Sequence, residues 1–152
     1  MSGKNSIPMT VIVDSREQTP YTFEGYSSIT RVLDVGDYSI VGFESNGCIV
    51  ERKSLSDFVS SITTLREVFM ERLKKMSCFE RAWVIIESSL ARIERGNYLF
   101  SKTHPQSVIG SIAKIESKYK VSVILSDTHR LGNLMCKKIL EQYYEKKREG
   151  LI

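Results

Sequence analysis

The chain is short of the residues that build many familiar sites. It has two histidines, three cysteines and one tryptophan in 152 residues. Cys48, Cys78 and Cys136 are widely spaced, odd in number and form no C-x-x-C pair, so a zinc centre and a disulfide framework both read poorly. Reduced thiols in a cytoplasmic compartment fit better. His104 precedes Pro105 at an expected helix start and His129 lies near another. Neither has a second plausible ligand nearby, which leaves zinc and Ser-His-Asp chemistry with little support. No apolar run approaches the roughly 20 residues needed to cross a bilayer, and Met1 to Ser6 lacks the apolar stretch of a secretory signal.

What is present is ordinary for a globular protein, with 41% hydrophobic and 26% charged residues, and argues against disorder or a collagen-like chain. The length suits one domain with a genuine core, expected over residues 10–148 after a short polar lead-in at 1–9. A net charge of +4 leans mildly toward anionic partners.

Periodicity places the elements. Thr10–Asp14 reads as a buried strand ending in an acid, and 15–28, with Pro20 and Gly25, as a loop. Ile29–Val35 and Asp37–Phe43 are expected strands, and a hairpin through Gly42, Asn46 and Gly47 returns as a strand over Cys48–Glu51. Leu55, Phe58, Val59, Ile62, Leu65, Phe69, Leu73 and Met76 follow a helical period. Ser54 and Asp57 stand at capping-box spacing, and Ile62-Thr63-Thr64 is a break that would divide the helix in two. Arg81–Glu87 is a fifth strand. A helix from Pro105 buries Val108, Ile109, Ile112 and Ile115, and Val121–Leu125 is a sixth strand. A last helix, capped by Ser126 or Asp127, carries Leu131, Leu134, Met135, Ile139 and Tyr143. The order predicts an α/β fold with a mixed sheet flanked by helices.

The hairpin sets the chemistry. Antiparallel pairing brings Asp37, at the start of one strand, beside Glu51, at the end of the next. Two carboxylates at one point are donors that suit Mg²⁺. Residues two apart on a strand share a face, so Lys53 projects beside Glu51, while Arg52 points to the other face, where it can make a structural ion pair. The ammonium of Lys53 can hold an attacking water or stabilise phosphoryl charge. Read alone, D…E-x-K also describes a solvated strand end with a surface ion pair; the strand-boundary positions of Asp37 and Glu51, and the further acid Asp14, favour the metal site. Trp83 reads as buried. Tyr21, Phe23 and Tyr26 either stack unpaired bases or pack over the sheet edge. Tyr143 and Tyr144 read as core more than as a dimer patch.

Val13-Asp14-Ser15-Arg16-Glu17, Val35-Gly36-Asp37-Tyr38 and Val50-Glu51-Arg52-Lys53-Ser54-Leu55-Ser56-Asp57 together resemble the signature of XPF-type nuclease domains, V-D-x-R-E followed by G-D-x(n)-E-R-K-x(3)-D. Ile85-Ile86-Glu87 and the helix with Arg72 and Met76 are similar to further elements of that family, and the Asp14–Pro20 version resembles its compact bacterial and phage members. The resemblance implies a restriction-endonuclease-like fold and an endonuclease acting on flap, fork or branched DNA with Mg²⁺, for which Mn²⁺ substitutes. It implies Asp37 and Glu51 as metal ligands, Asp14 as a further acid at the metal and Lys53 as the catalytic lysine. Glu17, Arg16, Arg52 and Asp57 would support them, with Arg66 and Arg72 on the DNA backbone. For Asp57 a helix-capping role, for Arg52 contact with DNA in place of holding the acids, and for Arg66 and Arg72 plain exposed helix charge, remain alternatives.

The implied location is cytoplasmic, on the nucleoid when DNA is bound. No helix-hairpin-helix or helicase domain is expected after the last helix, so recognition of branched DNA would come from a second copy, as a homodimer, or from a separate partner, as a heterodimer. Two other readings are weighed. A scaffolding partner without catalysis would normally lack one of Asp14, Asp37, Glu51 or Lys53, and all are present. A site-specific restriction enzyme would need a readout segment, for which only 15–28 and 88–104 offer room.

Overall fold

A computed structural model describes residues 8–96, 98 and 102–150; most of the expected lead-in and part of 88–104 lie outside the described residues. Six strands form one sheet: β1 (Thr10–Asp14), β2 (Ser27–Arg31), β3 (Tyr38–Ile40), β4 (Cys48–Ser54), β5 (Arg81–Glu87) and β6 (Ser122–Leu125), in the order β2-β1-β3-β4-β5-β6. β1 pairs antiparallel with β3 and β3 antiparallel with β4, whereas β2 lies parallel to β1, and β4, β5 and β6 run parallel. The helices are α1 (Leu55–Ile62), α2 (Arg66–Met76), α3 (Leu90–Glu94), α4 (Pro105–Lys114), which runs into a π-helical turn at Ile115–Tyr119, and α5 (His129–Arg148).

Alternation along the strands distributes two cores. Ile12, Ile49, Val84 and Ile86 face α1, α2 and α4, meeting Phe58, Leu73 and Val108. Val11, Tyr38, Val50, Trp83 and Ile85 face the other way, under Cys136, Leu140 and Tyr143 of α5. Each such buried aliphatic or aromatic side chain contributes about 1.5–3 kcal/mol, so opposite faces of a six-stranded sheet are both closed by apolar packing. The same alternation sorts the polar residues at the strand ends: Asp37, Glu51 and Lys53 follow the α1–α2 face, and Arg52 and Glu87 the α5 face.

Helix boundaries follow local chemistry. Ser54 Oγ accepts the Asp57 amide at 3.2 Å, the half of a capping box that the spacing predicts. The Thr63 and Thr64 hydroxyls turn back onto the carbonyls of Val59 and Ser60, and α1 and α2 separate there as expected.

Several expectations need correction. β2 begins earlier and stops at Arg31, because Leu33 leaves the strand to donate its amide to Asp14 Oδ1 at 2.8 Å. β3 is shorter than Asp37–Phe43, and β4 continues past Glu51 to Ser54 along β5. The cap of α5 is Thr128, whose side chain accepts the Leu131 amide, and not Ser126 or Asp127. Its buried row is Gly132, Cys136, Leu140 and Tyr143, while Leu134 and Met135 are exposed. α3 had no expectation: at five residues it is a little over one capped turn, too short for a hydrophobic period to repeat. Among the described residues no helix is long and apolar enough to cross a membrane.

Candidate active site

The hairpin that carries the acids is fixed by a glycine. Gly36 has φ +80°, and a Cβ there would stand 2.3 Å from Ile49 Cγ1, so β3 enters pressed against β4 with no side chain between. The next residue, Asp37, donates its amide to Val50 O at 2.8 Å, accepts the Asp14 amide on its carbonyl at 2.8 Å, and accepts the Arg52 amide on Oδ2 at 2.8 Å. Its carboxylate is thereby held across the ladder from Glu51.

A cavity of about 290 Å³ opens here between the sheet end and α1–α2. Glu17, Asp37, Glu51, Lys53, Asp57 and Arg72 line its polar side, and Leu65, Val68 and Phe69 of α2 and its approach form an apolar wall. The side chain of Glu51 is 1% exposed. Both its oxygens are taken by Arg72, Nη2 on Oε1 and Nε on Oε2 at 3.2 Å, and Lys53 Nζ stands 3.4 Å from Oε2. Lys53 also lies 5.1 Å over the Phe69 ring, which steers its ammonium toward the acids. Burial first, and then the neighbouring charge of Glu51, push the Asp37 carboxyl up to about 8, against the Arg52 amide and the Arg72 charge, which favour its ionised form. Asp37 thus shares one wall with Glu51 and, unlike Glu51, has no ion pair of its own among the described residues.

Asp14 stands apart from this lining. Its carboxylate accepts Arg16 Nε at 2.8 Å, Arg16 Nη2 at 2.9 Å, the Arg16 amide at 3.1 Å and the Leu33 amide at 2.8 Å. Arg16 is outside the lining too, close enough for its charge to be stabilised by Asp37 and Glu51. Arg66, exposed at the start of α2, is likewise outside it. The structure therefore brings together Asp37, Glu51, Lys53, Glu17, Arg52, Asp57 and Arg72, and leaves Asp14, Arg16 and Arg66 beyond the cavity wall.

Behind the cavity, on the α5 face, Arg52 is clamped between two acids. Its Nε donates to Glu17 Oε2 and its Nη1 to Glu87 Oε1, each at 2.9 Å. The Tyr38 hydroxyl donates to Glu17, and Glu87 Oε2 is met at 2.7 Å by the Tyr21 hydroxyl and by His129 Nδ1. Tyr21 stacks on Tyr38 with ring centroids 5.1 Å apart, which settles its role as packing. Gly132 admits the Tyr21 hydroxyl, since a Cβ there would lie 2.3 Å from that oxygen. Glu87 and His129 were missed as partners; the acid at the end of β5, two residues beyond Ile85 on the same face as Arg52, was the signal for Glu87.

A sequence model of the ERCC4 domain matches residues 13–137. The chain belongs to the ERCC4 domain family. The fold is that of two solved structures of XPF from Aeropyrum pernix. One matches with TM-score 0.70 at 21% identity over 88% of this chain and 60% of that one. The other, a complex with DNA, matches with TM-score 0.65 at 22% identity over 93% and 66%. At such identities the likeness is one of fold, and it establishes the mixed, helix-flanked sheet as restriction-endonuclease-like. A Methanocaldococcus jannaschii protein named as an ATP-dependent RNA helicase is 27% identical over 148 residues, which are 95% of this chain and 17% of that protein. This ERCC4 domain thus spans less than two thirds of each of these relatives.

Whether a divalent cation suits the site is a question of donors. Among the described residues no group of three or more His, Cys, Asp or Glu side chains is poised around one point. Asp37 and Glu51 supply two hard carboxylates, and their mutual repulsion is a charge that a cation relieves. Mg²⁺ is commonly held by one or two carboxylates with water completing its shell, so the donor set fits.

Proposed function

We propose that this ERCC4 domain is a metal-dependent DNA endonuclease, selective for flap, fork or branched DNA, with Mg²⁺ as cofactor and Mn²⁺ as substitute. The observation that carries the reading is the pair Asp37 and Glu51 on one wall of an open cavity, with Lys53 3.4 Å from Glu51. Family membership and the DNA complex of a similarly folded XPF support DNA as the substrate.

Asp37 and Glu51 would hold the cation, which when bound supplies acidified water and charge neutralisation at phosphorus. The protein's own part is positioning. The Arg52 amide aims Asp37, and the Arg52 guanidinium, locked by Glu17 and Glu87, keeps β4 in register beneath it. Lys53 offers an ammonium to the attacking water or to a phosphoryl oxygen. Arg72 neutralises Glu51 in the free protein and is free to move to a phosphate when a cation takes its place. Leu65, Val68 and Phe69 give the cavity an apolar wall against a sugar or an unstacked base. Asp14 acts on the site through the β1 end, where its amide holds the Asp37 carbonyl.

The test is cleavage of labelled duplex, 3′-flap, fork and four-way junction DNA with Mg²⁺ at several salt concentrations, since phosphate contacts make affinity depend on salt. Asp37→Asn and Glu51→Gln are expected to abolish cutting, and Lys53→Ala to slow it about 10²–10³-fold while DNA is still bound. Cutting by Asp37→Asn at the parent rate would overturn the assignment.

A further inference from the structure

α5 crosses its sheet face antiparallel to β5. At its start His129 meets Glu87, the last residue of β5; near its end Tyr143 and Lys147 meet Glu80, just before β5, at 2.8 and 3.0 Å. Two rows with i, i+4 spacing run along its outer side. Lys137, Glu141, Glu145 and Glu149 form a mainly acidic row next to Tyr26, whose ring lies 5.8 Å from Lys137 Nζ. Arg130, Leu134, Lys138, Gln142 and Lys146 form a row without an acid. Arg130, Lys138 and Lys146 are exposed, and none makes an ion pair among the described residues. The far end of the row adds a fourth cation. Arg81, set 5.1 Å over the Trp83 ring, joins Lys138, Lys146 and Tyr143 around a cavity of about 240 Å³ with no acid in its lining.

Uncompensated cations along one line repel one another and attract a linear polyanion. A second copy of this chain is a poor occupant, because a two-fold contact through the row would set cations against cations. We propose that the row is the track of a duplex arm of the substrate, with backbone phosphates on Arg130, Lys138, Lys146 and Arg81. The proposal rests on the nuclease reading and sharpens its substrate. The catalytic cavity opens on the α1–α2 face and the row lies on the other, so DNA that engages both turns around the sheet end past Arg130. Continuous duplex resists such a turn, with a persistence length of about 150 base pairs, whereas a nick, flap or junction permits it. From Arg130 to Lys146 the row is about 24 Å long, or about seven base pairs at roughly 3.4 Å each.

The experiment is the double variant Lys138→Gln/Lys146→Gln, with folding checked by its thermal transition. Binding to flap DNA is followed by anisotropy without divalent ions across a salt series, the arm being about 12 base pairs or, too short to reach Lys146, about 4. On the long arm the variant is expected to bind about 10-fold more weakly near 0.1 M salt, with the slope of log K against log salt reduced by about 1.8. On the short arm, which spans about 14 Å and so reaches Lys138 but not Lys146, the slope is expected to fall by only about 0.9. Parent affinity and slope on the long arm, equal losses on both arms, or a change of oligomeric state with DNA binding intact would each overturn the track. The nuclease reading fails separately: a parent protein that cuts none of the substrates yet shows the arm-dependent slope keeps the track and loses the reaction.

Discussion

Two carboxylate pairs flank β4 and have been given opposite environments. On the α5 face Glu17 and Glu87 close on Arg52 from either side, and hydroxyls from Tyr38 and Tyr21 and an imidazole from His129 fill their remaining acceptor sites. On the α1–α2 face Asp37 and Glu51 share a wall, and Asp37 is pushed up to about 8 by burial and by Glu51. The first pair is a closed network, complete in the protein alone. In the second, Arg72 and Lys53 meet Glu51 but Asp37 has no ion pair among the described residues, and a buried carboxylate in that position is where a cation has something to gain. The difference separates frame from reactive centre more sharply than residue type does, since both sides use the same carboxylates and guanidinium groups.

The hardest blow to the frame is Arg52→Ala. It leaves Glu17 and Glu87, each with 8% of its side chain exposed, without their common cation. Removing one partner of such a network costs about 3–5 kcal/mol, a fall of roughly 10 °C or more in the melting temperature of a domain this size. The matching change on the other face, Arg72→Ala, is expected to destabilise less, because Lys53 still stands 3.4 Å from Glu51, and to tighten Mn²⁺ binding by calorimetry, because a competing guanidinium is gone. Equal destabilisation and unchanged metal affinity would erase the distinction between the two pairs.

The reactive pair also has a pH signature. Asp37 holds its proton to about 8 in the fold, against an ordinary value of 3.8 in the unfolded chain. The folded state therefore binds the proton more tightly, and stability falls as pH rises from about 4 to about 8. Denaturation without metal should show this slope, and Asp37→Asn or added Mg²⁺ should flatten it. A metal-free protein whose stability rises over that range through this group would contradict the environment assigned to Asp37.

Asp14 gives the intermediate effect with the reverse sign. Burial works to raise its carboxyl, but Arg16 and the Leu33 and Arg16 amides outweigh it and hold the group below its usual value. Its contribution is present above the unfolded pKa and is lost on acidification. Asp14→Ala strands the Leu33 amide and unties 31–35 from the end of β1, for about 1–3 kcal/mol. Cation affinity should stay close to the parent's, since Asp14 is outside the cavity lining. A loss of affinity as large as that of Asp37→Asn would return Asp14 to the metal.

Much of this was legible in the sequence, and the reasons differ by element. Strand periodicity alone put Glu51 and Lys53 on one face and Arg52 on the other, and the hairpin put Asp37 opposite Glu51; the structure places all four so. The break at Thr63 and Thr64 was readable because threonine hydroxyls compete for local carbonyls. The edge strand β2 was misplaced because Ser27–Arg31, exposed at all positions but Ile29, has little apolar alternation, while Leu33 and Val35, buried below the loop, imitate a strand. Asp14 and Arg72 were assigned from their motif neighbours. Their partners, the Leu33 amide and Glu51, lie 19 and 21 residues away, and no local pattern encodes such contacts.

The smallest expected effect tests how finished the frame is. His129 Nδ1 meets Glu87 Oε2 at 2.7 Å, with 42% of the imidazole side chain in solvent. If Glu87 depended on it, His129→Ala would loosen the start of α5 and with it the clamp on Arg52. But Glu87 keeps Arg52 at 2.9 Å and the Tyr21 hydroxyl at 2.7 Å, and α5 keeps its Thr128 cap. A half-exposed pair of this kind contributes about 0–1 kcal/mol. His129→Ala should therefore shift the melting temperature by no more than a few degrees, and cleavage should proceed at the parent rate. A loss approaching that of Arg52→Ala would mean that the closed network is held from α5, and that the contrast between a finished face and an unfinished one is misdrawn.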